Sequence, residues 1–170
     1  DPGSEGAILR AANRVKFNKG RYQQIELKLG IPWYVVGGIH NMEASGNFSG
    51  CLHNGERIIG TGKKTTLVPK GRGPFATWED SAIDALSAWR GLAWDLGAML
   101  KRVEAYNGTG YLKHHREENT PYLWAETSIN DGHGKYVADG HFDPDADSNQ
   151  QVGFCAIIKQ LEMLREIKLS

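Results

Sequence analysis

Cysteine is nearly missing from this chain: Cys51 and Cys155 are the only two among 170 residues. Two thiols cannot build the multi-bridge framework of a small disulfide-stapled fold. They are read as two buried thiols in preference to one long-range bridge, because helical spacing gives Cys155 a core position. Long apolar runs are missing too. The longest, Ile31 to Ile39, holds a Pro and two Gly and stops at His40. It falls far short of the roughly 20 residues a membrane helix needs, so membrane insertion is not expected. Excess charge is also absent, since 20 Lys+Arg balance 20 Asp+Glu. Nucleic-acid binding needs a basic face and finds no support. No charged-then-apolar leader opens the chain. The polar start, residues 1–4, reads as an appended remnant or a cut from something longer.

Glycine, by contrast, is abundant at 21 residues, about twice ordinary usage. That argues for many turns around a modest helical core. The length suits one domain over residues 1–170. Residues 5–28 show a helical apolar stripe, with a break placed at Gly20. Gly30 is a stop, and Pro32 suits the first turn of a new helix. That helix runs to about Ala44 and is apolar all round, as a buried central helix is. Residues 45–72 turn polar and Gly-rich. A β-like piece at 49–59 contains Asn54-Gly55, a strong hairpin dipeptide, and a second lies at 65–68. Thr77 to Asp80 resembles a capping box and opens a helix; another covers about 92–105. Residues 106–146 read as loop, with a short helix at 121–125. A last helix is expected over about 148–167. The fold class is α+β, mainly α, with one small β insertion.

Glu43 is the most informative residue. Apolar neighbours disfavour its ionised form, and the partial negative charge of a helix C-terminus does the same. A carboxyl kept protonated in this way can donate to a glycosidic oxygen; an ordinary glutamate at a helix end is the alternative. Glu56 is either a base or charge-stabilising carboxylate, or a solvated turn residue beside Asn54-Gly55. Thr65 either positions water or is a β-branched strand residue. Tyr106 and Asn107 follow a helix, where a ring and an amide suit a sugar and where a helix C-cap is equally at home. Tyr122, Trp124 and Tyr136 are further sugar-stacking candidates, with core packing as the alternative. His114, His115, His133 and His141 have no zinc spacing. The run Asp143-Pro144-Asp145-Ala146-Asp147 starts like a calcium loop, but Ser148 and Phe154 stand where Gly and Glu are required. It is read as an acidic loop, with Asp147 or Ser148 capping the last helix. Metal and cofactor are expected to be none.

Three elements together resemble the lysozyme superfamily, especially phage endolysin-like and goose-type lysozymes and lytic transglycosylases. The first is the helix ending Ile39-His40-Asn41-Met42-Glu43-Ala44-Ser45, followed by Asn47-Phe48; in the family the acid is usually followed directly by Ser, and here Ala44 intervenes. The second is Cys51-Leu52-His53-Asn54-Gly55-Glu56 with Thr65 and Val68-Pro69. The third is Glu104-Ala105-Tyr106-Asn107-Gly108-Thr109-Gly110-Tyr111. The resemblance covers roughly residues 30–165. It implies a lysozyme-like helical bundle with a β-hairpin lobe, and a muramidase that cleaves the β-1,4 bond between N-acetylmuramic acid and N-acetylglucosamine. Glu43 would be the general acid, with Glu56 or Thr65 as the second group. His53, Asn54, Tyr106, Asn107, Tyr122 and Trp124 would contact substrate. The implied partner is the peptidoglycan glycan strand, met by a monomer at the bacterial cell wall: in the periplasm, outside the cell, or after release of a phage product. Zero net charge argues against strong adhesion to an anionic wall, which leaves room for a separate wall-binding module. Lytic transglycosylase, chitinase or chitosanase, and a non-catalytic wall-binding domain are the alternatives.

Overall fold

A computed structural model describes residues 2–108, 110–115, 119–130, 132–138, 140–148 and 151–169. In chain order the helices are α1 (Pro2–Phe17), α2 (Lys19–Leu29), α3 (Trp33–Ala44), α4 (Trp78–Leu86), α5 (Leu96–Tyr106), α6 (Gly110–His114) and α7 (Pro121–Trp124). Strands β1 (His133–Ala138) and β2 (His141–Asp147) follow, then α8 (Phe154–Met163). The fold is α+β and mainly helical. The chain divides into two compact units: Arg14–Trp94, and Asp1–Asn13 together with Asp95–Ser170. Among the described residues, no helix is long and apolar enough to cross a membrane.

In the first unit, α3 is the central rod. Nine of its residues, Trp33, Val35, Val36, Gly37, Gly38, Ile39, His40, Asn41 and Met42, are buried, as its all-apolar sequence predicts. Gly37 is required for close packing, because a Cβ there would overlap Val15 and the Tyr22 ring. Pro32 stands one position earlier than expected, as the N-cap. The break between α1 and α2 falls at Asn18, not Gly20. The Asn18 side chain donates to the Arg14 carbonyl at 2.9 Å, and such local bonding competes with the helix ladder. The capping box at α4 is present in full: the Thr77 hydroxyl accepts from the Asp80 amide, and the Asp80 carboxylate accepts from the Thr77 amide. This fixes where α4 begins.

The β structure lies elsewhere than the sequence suggested. Residues 49–59 and 65–68 form turns and bends with no strand, while the supposed loop contains the antiparallel pair β1–β2. Lys135 stands opposite Asp143 and Tyr136 opposite Phe142. Such opposite-charge and aromatic pairs stabilise a sheet without a continuous apolar pattern. Tyr111 and His115 add to this face, with the His115 ring stacked on Phe142 at 3.8 Å. The expected start of the last helix is also corrected. Asp147 belongs to β2, the Ser148 hydroxyl donates to Asn130 Oδ1, and the N-cap of α8 is Gly153. A Cβ at Gly153 would crowd Leu123 O and Ala125 N at 2.7 Å, so this glycine lets α8 start against the end of α7.

Candidate functional site

Glu43 sits one residue before the end of α3 and is half-buried. Ser45 ends the helix in the left-handed conformation, φ 51. Its amide bonds the Asn41 carbonyl, and the Gly46 amide bonds the His40 carbonyl. This pairing satisfies carbonyls that a helix end otherwise leaves open. Below it lies His40, fully buried. The Tyr22 hydroxyl lies 3.0 Å from His40 Nδ1, and Nε2 lies 3.2 Å from the Asn47 carbonyl. The carbonyl can only accept, so Nε2 carries the hydrogen and Nδ1 accepts from Tyr22. Burial pushes the His40 pKa down to about 4. The ring is therefore neutral at pH 7, and it ties the helix to the first turn of the following segment. Phe48 and Trp78 pack on it. Arg21 stacks over Phe48 at 3.7 Å while holding Glu79 through two bonds of 2.7 and 2.9 Å.

Residues 45–76 fold back onto this helix end without a strand. At Gly55, φ is +75 and a Cβ would overlap the Glu43 carbonyl oxygen; only glycine fits there. Around it the Cys51 amide bonds the Glu56 carbonyl, and the Gly55 amide bonds the Cys51 carbonyl. Cys51, Ile58 and Phe75 form a small buried cluster beneath.

The Glu56 carboxylate accepts from the Thr66 amide and hydroxyl, the Leu67 amide and the Asn54 side chain, at 2.7 to 3.0 Å. Desolvation raises its pKa, but these four donors outweigh it and hold it down to about 2. The carboxylate is thus an acceptor hub that joins the 54–56 turn to residues 66–67. Asn54 is committed in the same way: its Oδ1 accepts from Cys51 Sγ and the Glu56 amide, and its Nδ2 donates to Glu56 and to the Val68 carbonyl. Thr65 is buried; its hydroxyl donates to the Pro69 carbonyl at 2.5 Å and accepts from the Arg72 amide at 2.9 Å. His53 Nε2 meets Asp84 at 2.8 Å, its ring stacks on Phe75, and Arg72 grips both Asp84 oxygens. Burial lowers the His53 pKa against the opposing pull of Asp84. Sequence reasoning missed this His53–Asp84–Arg72 chain. Its signal was faint: an aspartate on the helix after the lobe and an arginine within the lobe.

Four of the candidate residues, Glu43, His53, Asn54 and Glu56, are thus gathered at or beside the end of α3, with Thr65 bracing the same lobe. The others belong to the second unit. Tyr106 ends α5 half-buried, and Asn107 caps it, exposed, with Gly108 at φ 104. Tyr122 and Trp124 lie half-buried on α7. Trp124 lines an apolar cavity of about 410 Å³ with Met99, Cys155, Ile158 and Met163. Tyr136 packs edge-on to Tyr111 and Phe142. Both cysteines are free, as the thiol reading expects, but only Cys51 is buried; Cys155 is half-buried and not a full core residue. The chain was compared with protein-family models, curated proteins and solved structures, and nothing matches it.

Proposed function

We propose that this protein is a muramidase: a glycoside hydrolase that cuts the β-1,4 bond between N-acetylmuramic acid and N-acetylglucosamine in peptidoglycan. The observation that carries the reading is Glu43, half-buried at the end of the central helix, where a polar lobe closes on the same helix end. In the proposed mechanism Glu43 protonates the leaving glycosidic oxygen as the anomeric carbon gains oxocarbenium character. Water then attacks that carbon; attack by the muramic 6-hydroxyl instead would make the protein a lytic transglycosylase. Glu56 and Thr65 brace the lobe in this scheme. The full set of donors on Glu56 argues against its serving as a second catalytic base. Tyr106 and Asn107 enter as sugar contacts through the resemblance of the Tyr106-Asn107-Gly108 element.

The test is clearing of permeabilised bacteria, with mass spectrometry of the released muropeptides. Reducing muramic ends identify hydrolysis, and anhydro ends transglycosylation. Glu43→Gln keeps the side-chain size but cannot donate the proton, so activity should fall by roughly 10²-fold or more with an unchanged circular dichroism spectrum. Asn107→Ala should cost less. Near wild-type clearing by Glu43→Gln would falsify the mechanism. Cleavage of chitosan but not of walls would move the protein to the chitosanase alternative, and binding without cleavage to a wall-binding domain.

A further inference from the structure

The zero net charge of the chain hides a strongly uneven distribution. Between Arg57 and Thr77 lie five cations, Arg57, Lys63, Lys64, Lys70 and Arg72, and no acid. Arg72 is neutralised by Asp84. Lys63, Lys64 and Lys70 are exposed, and among the described residues their ammonium groups make no ion pair. Lys70 lies in a loop closed between Thr65 and Arg72, and Lys63 and Lys64 lead into it. The Thr65 amide bonds the Arg72 carbonyl, the Gly71 amide bonds the Thr65 carbonyl, and the Thr65 hydroxyl bridges Pro69 and Arg72. Lys64 therefore enters and Lys70 leaves at the neck of one small loop. At its tip Leu67 and Val68 are 58% and 69% exposed. Glu56 and Asn54 clamp that tip through Thr66, Leu67 and Val68. The turn that supplies both clamps is the one whose Gly55 abuts the Glu43 carbonyl. A hydrogen-bonded rim with three lysines and two aliphatic side chains is thus tied to the turn that abuts the end of α3.

We propose that this rim is a subsite for the peptide branches of the cell-wall glycan, with the lysines facing peptide carboxylates and Leu67 and Val68 facing alanine methyl groups. The inference rests on the muramidase reading and adds to it a preference for peptide-bearing over bare glycan. Charge complementarity carries it: a muramic glycan stripped by an amidase keeps one lactyl carboxylate per disaccharide, held close to the sugar, whereas a stem peptide offers several free carboxylates that reach away from the glycan toward three lysines. A membrane is the weaker partner, because the rim lacks the Trp or Phe that typically anchors an interfacial site.

The experiment measures binding without turnover, in the Glu43→Gln background. It compares intact wall sacculi with sacculi stripped of peptides by an amidase. Intact sacculi should bind about tenfold more tightly at low salt, and the preference should shrink at about 0.15 M, where the screening length is ~8 Å. Adding Lys63→Gln, Lys64→Gln and Lys70→Gln together should abolish the preference while the circular dichroism spectrum stays the same. Equal binding of both sacculi by the parent overturns the proposal, as does a preference that survives the triple substitution. A triple variant whose only loss is binding to phosphatidylglycerol vesicles overturns it in favour of a lipid. Wild-type clearing of walls with no peptide preference retires the subsite and leaves the muramidase reading standing. A lysine-dependent preference without any clearing does the reverse.

Discussion

Residues 45–76 and the β1–β2 hairpin solve one problem in opposite ways. Both are polar, Gly-containing stretches outside the helical core, and both must satisfy their backbone groups. The hairpin does so with a ladder, in which main chain bonds main chain, and its side chains only tune the pairing. Residues 45–76 combine scattered backbone turns with side-chain acceptors for the amides those turns leave over: Asn47, Asn54, Glu56, Thr65, and Ser81 reaching in from α4 to the Leu52 amide. A ladder tolerates substitution because each bond comes from the backbone. A side-chain network concentrates the load on a few residues. It also frees the chain to follow a surface no strand would fit, here the end of α3 that bears Glu43.

The sharpest way to break that comparison is a pair of glycine substitutions. Gly55→Ala places a methyl group on the Glu43 carbonyl at a positive φ. It should cost about 4 kcal/mol, strain and overlap combined. Gly140, at the hairpin turn, has φ +70 and no atom within 4 Å of the added Cβ. There Gly→Ala meets the left-handed penalty alone, roughly 1–2 kcal/mol. Urea midpoints of the two variants measure the difference. Equal losses would mean that Gly55 is not wedged against α3.

The second test is pH. Neutral His40 holds the Asn47 carbonyl, and its pKa lies near 4 in the folded chain against 6.5 when free. The unfolded chain therefore takes up a proton that the folded chain refuses. Stability should fall as pH drops from about 6.5 to 4 and then lose this dependence. At about 1.4 kcal/mol per unit, the loss is of order 3 kcal/mol. Urea titrations of wild type and His40→Gln at pH 7, 5.5 and 4 would show the slope flattened in the variant. An equal slope in both would locate the titration elsewhere.

These contrasts also explain what could be read from the sequence. The α3 rod, the Thr77–Asp80 cap and the short helix after Thr120 were legible because each depends on residues close in the chain. The Asn54-Gly55 turn was legible as a turn. Its flanks were misread as strands, because nothing in the local pattern shows that Glu56 takes the amides of Thr66 and Leu67, which a partner strand would otherwise need. The hairpin was hidden for the converse reason. Asp143, Pro144 and Asp145 are poor strand formers, and the pairing rests on cross-strand neighbours that appear only once the chain has turned. Of the candidate site, the position of Glu43 at the end of a buried helix was legible. The roles of Glu56 and Thr65 were not, since a carboxylate or hydroxyl looks the same in sequence whether it meets water or an amide.

The smallest expected effect is local, and Cys51 reports it. Its thiol is buried against Ile58 and Phe75 and donates to Asn54 Oδ1 at 3.2 Å, so it becomes reactive only when residues 45–76 open. Burial raises its pKa, and burial with nearby Glu104 raises that of Cys155 to about 12. A thiolate is the reacting species, so iodoacetamide at pH 8 should modify both far more slowly than a free cysteine. Glu56→Gln removes the charge that gathers the Thr66 and Leu67 amides, and should speed alkylation of Cys51 while leaving Cys155 unchanged. Because the Glu56 pKa is held near 2, its contribution is complete above the ordinary carboxylate value of about 4.5. That contribution is lost progressively as pH falls from there to about 2. The substitution should therefore act throughout the neutral range. Rapid Cys51 alkylation in the wild type would show that the side-chain network opens freely and that Glu56 does not hold residues 45–76 closed.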